Sequence, residues 1–169
     1  MLIQQKLGNL NNYNINNKHI DWLYLHWYET NKRIQRKRTA TGREIALQFL
    51  QENPALTQGD ILFEDEDNII AITILPCNSI VITPQNMFEM ASICYEIGNK
   101  HLPLFYADDE LLIPFEVPIF RLLTAQGFLV KQEDRQLLQP LTTTVTPHGS
   151  ESLFSKIMKL TTTSSATTS

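Results

Sequence analysis

The sequence predicts an α+β protein, with a β-rich first part, a second part of two helices on a sheet, and a polar tail. Three observations carry this expectation. Short apolar runs separated by turn residues fill the stretch before Pro76. Two helical patterns then alternate with strand-like runs, and after Pro140 the chain becomes rich in Thr and Ser.

In the first part the strand-like runs are Trp22 to Trp27, Arg43 to Phe49, Asp60 to Phe63 and Asn68 to Leu75. Thr41-Gly42, Gln58-Gly59 and Asp65 to Asn68 supply the turns. Several short strands without a convincing helix predict a small β-barrel or sandwich over residues 1–75. Pro76 marks the boundary.

Beyond it, Ser79 to Thr83 reads as a strand, and Thr83 is placed to cap a helix that opens at Pro84 and stops at Gly98. Met87, Met90, Ala91, Cys94 and Ile97 form its apolar stripe. Strands at Leu104 to Ala107 and Leu111 to Phe115 flank the acidic turn Asp108-Asp109-Glu110. Pro118 opens a second helix with Ile119, Leu122 and Leu123 on one face, Gly127 closes it, and Phe128 to Lys131 is strand-like. The order βαββαβ is that of the ferredoxin-like fold, expected over residues 76–145. Residues 146–169 read as a flexible tail, because Thr161 to Ser169 offer no strong apolar anchor. Within it, Leu153, Phe154, Ile157 and Leu160 keep partial helical spacing.

Composition narrows the function classes. A chain of 169 residues buries a real core without disulfide staples. Cys77 and Cys94 form no CxxC pair and no basic-then-apolar leader precedes them, so a cytoplasmic location is the simplest expectation. No apolar run approaches membrane-spanning length, so no membrane partner is expected. A net charge of −4 argues against a general nucleic-acid binder.

The most informative segment runs from Cys94 to Leu104, where a helix ends and His101 emerges just before the next strand. From spacing alone, an ordinary loop histidine is the simpler reading. However, Gly98-Asn99-Lys100-His101 resembles the Gly-Asn-Arg/Lys-His signature of the UreE family of urease accessory proteins at the same helix-to-strand junction. Cys94-Tyr95-Glu96, Leu104-Phe105-Tyr106, the Pro-Phe-Glu-x-Pro run from Pro114 to Pro118, Gln58 to Leu62 and Trp27 to Thr30 are similar to that family as well.

The resemblance implies a peptide-binding-like β domain, a ferredoxin-like metal-binding domain and a homodimer. It also implies a non-enzymatic nickel chaperone that passes its cargo through the UreG GTPase to the urease pre-activation complex. On this resemblance the His101 side chains of two subunits share one ion at the dimer interface, and His148 in Thr146-Pro147-His148 is the weaker second ligand. Imidazole suits nickel, zinc and copper alike, so zinc and copper are the expected competitors. The tail lacks the histidine run of many family members, which argues against bulk nickel storage.

Other residues carry less. His19 and His26 have no Cys or second His at ligand spacing, Cys94 falls in the apolar stripe, and Cys77 is left open. Asp108, Asp109 and Glu110 read as a solvated turn, and Asp65-Glu66-Asp67-Asn68 lacks the glycine and later glutamate of an EF-hand. The run Lys32 to Arg38 is either the exposed face of a strand or hairpin, or a docking patch for an acidic protein. No RNP1, G-x-S-x-G, P-loop or dinucleotide motif occurs. The alternative to a metal carrier is a protein- or peptide-binding adaptor; a hydrolase ranks last.

Overall fold

The computed structural model describes residues 1–49 and 54–141. Its first half is two open sheets facing one another. One has the order β1 (Leu2–Ile3), β5 (Glu44–Gln48), β4 (Ile34–Arg38). The other has the order β2 (Gly8–Asn9), β6 (Asp60–Glu64), β7 (Asn68–Ile74), β3 (His19–Leu25). Neither sheet closes, so of the two expected architectures the sandwich holds and the barrel does not. Period-2 alternation builds it: Leu23 and Leu25 of β3 and Ile45 and Leu47 of β5 turn inward onto Leu62, Ile70 and Ile72. The central strand β7 is buried on both faces, its Ile69 and Ala71 lying under Leu10, Tyr13 and Trp22.

Trp22 to Trp27 is not one strand, because a 3-10 turn at Trp27–Glu29 follows β3. Here Thr30 Oγ1 donates to the Trp27 carbonyl at 2.8 Å, a local bond that competes with sheet pairing. The basic run forms edge strand β4, with side chains alternating between outward and half-buried.

In the second half, β8 (Cys77–Ile82), α1 (Met87–Asn99), β9 (Phe105–Ala107), β10 (Glu110–Pro114), α2 (Val117–Ala125) and β11 (Val130–Arg135) follow in the expected order. The sheet order β11-β8-β10-β9 is that of a split βαβ pair, with every neighbour antiparallel. Ile93 and Ile97 of α1 and Ile119 and Leu123 of α2 pack on Ile80, Ile82, Leu111 and Ile113, so both helices cover one face. The other face carries Val81, Phe105, Leu112 and Leu137. There Trp27 of the first half meets Phe105 edge-on, with ring centroids 5.5 Å apart, and Gln136 Nε2 donates to the Ile74 carbonyl at 2.6 Å.

Local boundaries differ from expectation for identifiable reasons. Thr83 still belongs to the sheet, donating its N–H to Leu129 O at 3.0 Å, and does not cap α1. Asn86 does, because its side chain accepts the Glu89 N–H at 2.9 Å while the Glu89 carboxylate accepts the Gln85 N–H at 2.9 Å. The buried stripe of α1 centres on Ile93 and Ile97, with Met90 and Cys94 at its edge, whereas Met87 and Ala91 face outward. The last strand extends to Arg135 despite its charge, because Lys131 and Arg135 reach Glu110 at 3.3 and 2.7 Å. The expected tail, including His148 and Leu153 to Leu160, lies outside the described residues.

Candidate metal centre

Helix α1 does not stop at Gly98 but runs on to Asn99, with Lys100 as its C-cap. The next residue, His101, takes a left-handed φ of 55°. Its N–H donates to Gly98 O at 3.0 Å, and the Leu102 N–H donates to Ile97 O at 3.4 Å. These two bonds are a Schellman motif, which satisfies the last helical carbonyls and favours glycine in the left-handed seat.

Helix α2 closes in the same way with the favoured residue. Gly127 has φ 85°, its N–H reaches Thr124 O at 3.0 Å, and the Phe128 N–H reaches Leu123 O at 3.2 Å. The two terminations share a backbone and differ in one side chain. A non-glycine residue in this region costs about 1–2 kcal/mol, so α1 carries a conformational cost that α2 avoids. What the imidazole gains in return is exposure, since the turn throws it off the helix end into solvent.

The surface leading to His101 is apolar. Met87 is 87% exposed, Phe88 81% and Tyr95 73%, although all three are large side chains on one short helix. Phe88, Ala91, Tyr95 and Gly98 are exposed at spacings of three and four, which makes a second stripe pointing away from the core and running toward His101. The expected stripe joins outward Met87 and Ala91 to the inward positions and leaves out Phe88 and Tyr95. An alternation of large and small residues at this spacing was the available signal. Around the helix end, Lys100 pairs with Glu96 at 3.1 Å, and the exposed His101 follows it directly.

Among the described residues no three His, Cys, Asp or Glu side chains are grouped to hold a metal ion. Among the described residues His101 is the one imidazole at the end of α1, and a second copy brought to the same point would make it a pair. Cys94 is not a substitute, because it packs against the core and its burial pushes the thiol pKa up, which disfavours the ligating thiolate. His19 is exposed at the start of β3, and His26 stacks on Tyr28 with ring centroids 5.2 Å apart. Neither lies on α1 or its closing turn.

Two family models cover the chain. One, described as the UreE urease accessory protein N-terminal domain, matches residues 3–75, and one described as the UreE C-terminal domain matches residues 78–149. The urease accessory protein UreE of Flavobacterium johnsoniae is 44% identical over 163 residues, which is 95% of this chain and 99% of the relative. Those of Helicobacter pylori, at 42% over 75% of this chain and 76% of the relative, and Acetivibrio thermocellus, at 33% over 83% and 92%, are similar as well. No helix among the described residues is long and apolar enough to cross a membrane.

Proposed function

Because the chain belongs to the urease accessory protein UreE family, we propose that it is a nickel chaperone for urease maturation. It binds Ni(II) between two copies of itself and hands the ion, through the UreG GTPase, to the urease pre-activation complex. It works in the cytoplasm and catalyses no reaction of its own. Residues 1–75 and 76–145 act as its two units, the second carrying the metal and the dimer contact.

The observation that carries this reading is His101 in a glycine seat at the end of an uncovered apolar helix face. Pairing two such faces about a twofold axis buries Phe88 and Tyr95 and brings two imidazoles together. That supplies a second imidazole beside the first, and raises the effective concentration of one imidazole for an ion held by the other. Two nitrogen ligands with positions left for water hold an ion without caging it, which suits transfer better than a closed structural site. His148 is a conditional third ligand on this reading. The donor set favours copper over nickel and binds zinc, so nickel selectivity comes from geometry, supply or partners.

Equilibrium dialysis with nickel, run beside size-exclusion chromatography, tests the proposal. One ion per dimer is expected in the parent chain, and none at that affinity in His101→Gly. A monomer in both, or an unchanged stoichiometry in the variant, refutes it.

A further inference from the structure

The metal reading leaves the basic run of β4 unused. Strand β4 ends its sheet, pairing with β5 on one side and, over Ile34–Arg38, with no strand among the described residues on the other; just beyond it the Ala40 N–H donates to Trp22 O of β3 at 2.8 Å, which bounds the open edge. Its register decides which backbone groups are open. Phe49 N–H donates to Arg33 O and Thr39 N–H to Arg43 O, so the closely bonded pairs fall on odd-numbered residues of this strand. Ile34, Arg36 and Arg38 therefore turn their N–H and C=O groups to the open edge.

The side chains of these same three residues share the outer face of the sheet. Across β5 they stand beside Gln48, Ala46 and Glu44 respectively. The small Ala46 next to Arg36 leaves an open cavity of about 610 Å³, with Met1, Arg36, Arg38 and Glu44 among its walls. Arg36 has no ion-pair partner among the described residues. Arg38 meets Glu44 at 2.5 Å in a pair so exposed that an incoming carboxylate exchanges with it readily. Ile34 is 68% exposed. On the inner face Lys37 is held by both oxygens of Glu29 at 2.6 Å, which pins the strand without using its outer edge.

We propose that the open edge of β4 captures an extended acidic segment of a partner protein as an added antiparallel strand, with alternate acidic residues beside Arg38 and Arg36 and an apolar residue beside Ile34. Main-chain bonds from the edge supply affinity, and the outer-face side chains supply the pattern Glu-x-Glu-x-Val. A second copy of β4 is disfavoured, because antiparallel pairing about Arg36 sets Arg36 against Arg36. Residues 142–169 do not fit either, since Glu151 is their one acidic residue and Lys156 and Lys159 outweigh it. The competing account is that the charges only keep the edge from aggregating.

Fluorescence anisotropy with the full chain decides between them, using labelled Thr-Glu-Thr-Glu-Thr-Val-Thr and an isomer with its two glutamates adjacent. The alternating peptide is expected to bind at least about fivefold more tightly, the factor given by about one edge hydrogen bond or charge contact. Ile34→Pro removes one outward N–H and leaves the β5 ladder intact, and should weaken binding about fivefold. Arg36→Gln removes a charge without touching the backbone and should weaken it about tenfold. Equal binding of the two isomers, indifference to both substitutions, or no binding at low salt overturns the proposal. So does competition by oligothymidylate of equal charge, which would make the edge a nucleic-acid face. The His101→Gly chain should bind the peptide unchanged, so failure of the nickel reading is separable from failure here.

Discussion

Replacing His101 by glycine should raise the stability of the apo protein while abolishing the nickel site. The imidazole makes no hydrogen bond that the helix end needs, because both Schellman bonds are made by backbone groups. A non-glycine residue at a φ of 55° costs about 1–2 kcal/mol. Glycine removes that cost but adds chain entropy to the unfolded state, which takes back about 0.4–1 kcal/mol. The net gain centres on about 0.5–1 kcal/mol, or about 1–4 °C in Tm for a chain of this size. His101→Ala keeps the unfavourable φ and should leave Tm within about 1 °C of the parent. Both variants should lose the high-affinity nickel isotherm in calorimetry. Thermal unfolding is best followed in chelator and at fixed protein concentration, because dimerisation shifts apparent stability by mass action. A glycine variant less stable than the alanine variant would refute the backbone cost, a parent more stable than both would show that the imidazole supports the fold, and retention of nickel affinity in either would remove His101 from the site.

Tyr95→Glu and Phe88→Glu should each yield a folded monomer by light scattering with weakened nickel binding, since both side chains are exposed in one chain; a dimer in both variants refutes the α1 interface. Nickel affinity should fall on acidification below neutral pH, because a ligating imidazole must be deprotonated, and a pH-independent isotherm would point to other ligands. His148→Ala should weaken nickel less than His101→Gly, and equal losses would promote it to a principal ligand. For Glu29, burial pushes the carboxyl pKa up, but hydrogen bonds from Lys37 and the His26 N–H outweigh this and hold it below its ordinary 4.5. Its stabilising contribution is thus present above the ordinary value and lost as pH falls through the lowered one. Glu29→Gln should cost roughly 2 kcal/mol at pH 7 by urea unfolding, with the difference shrinking below about pH 4.5; a gap that persists in acid would count against the ion pair.

Several features were legible because they depend on neighbours in the chain. Alternation in β3 and β5, the turns around Gly42 and Gly59, and the α2 stop at Gly127 follow from local sterics and side-chain periodicity. So did the order of elements in the second half. Failures occurred where two local signals competed. Thr83-Pro84 reads as a helix start, yet Asn86 with Glu89 makes the better capping pair. Gly98 reads as a helix stop, yet it sits inside the last turn, and the left-handed seat falls to a histidine no propensity scale would choose. The charged end of β11 is not legible from periodicity, because its ion partner Glu110 lies 21 to 25 residues away in sequence, outside any window.

By itself, then, the sequence determined the α+β class, the split βαβ order, the family likeness and His101 as the residue to watch. All of these rest on periodicity or on short contiguous motifs. Only the tertiary structure decided that the two N-terminal sheets stay open, that Trp27 packs across onto Phe105, and that Phe88 and Tyr95 are left uncovered beside the histidine. The reason is physical: an amphipathic pattern says that an apolar face must be buried, but α1 is apolar over more than one face. Which of them meets the sheet is settled by the sheet.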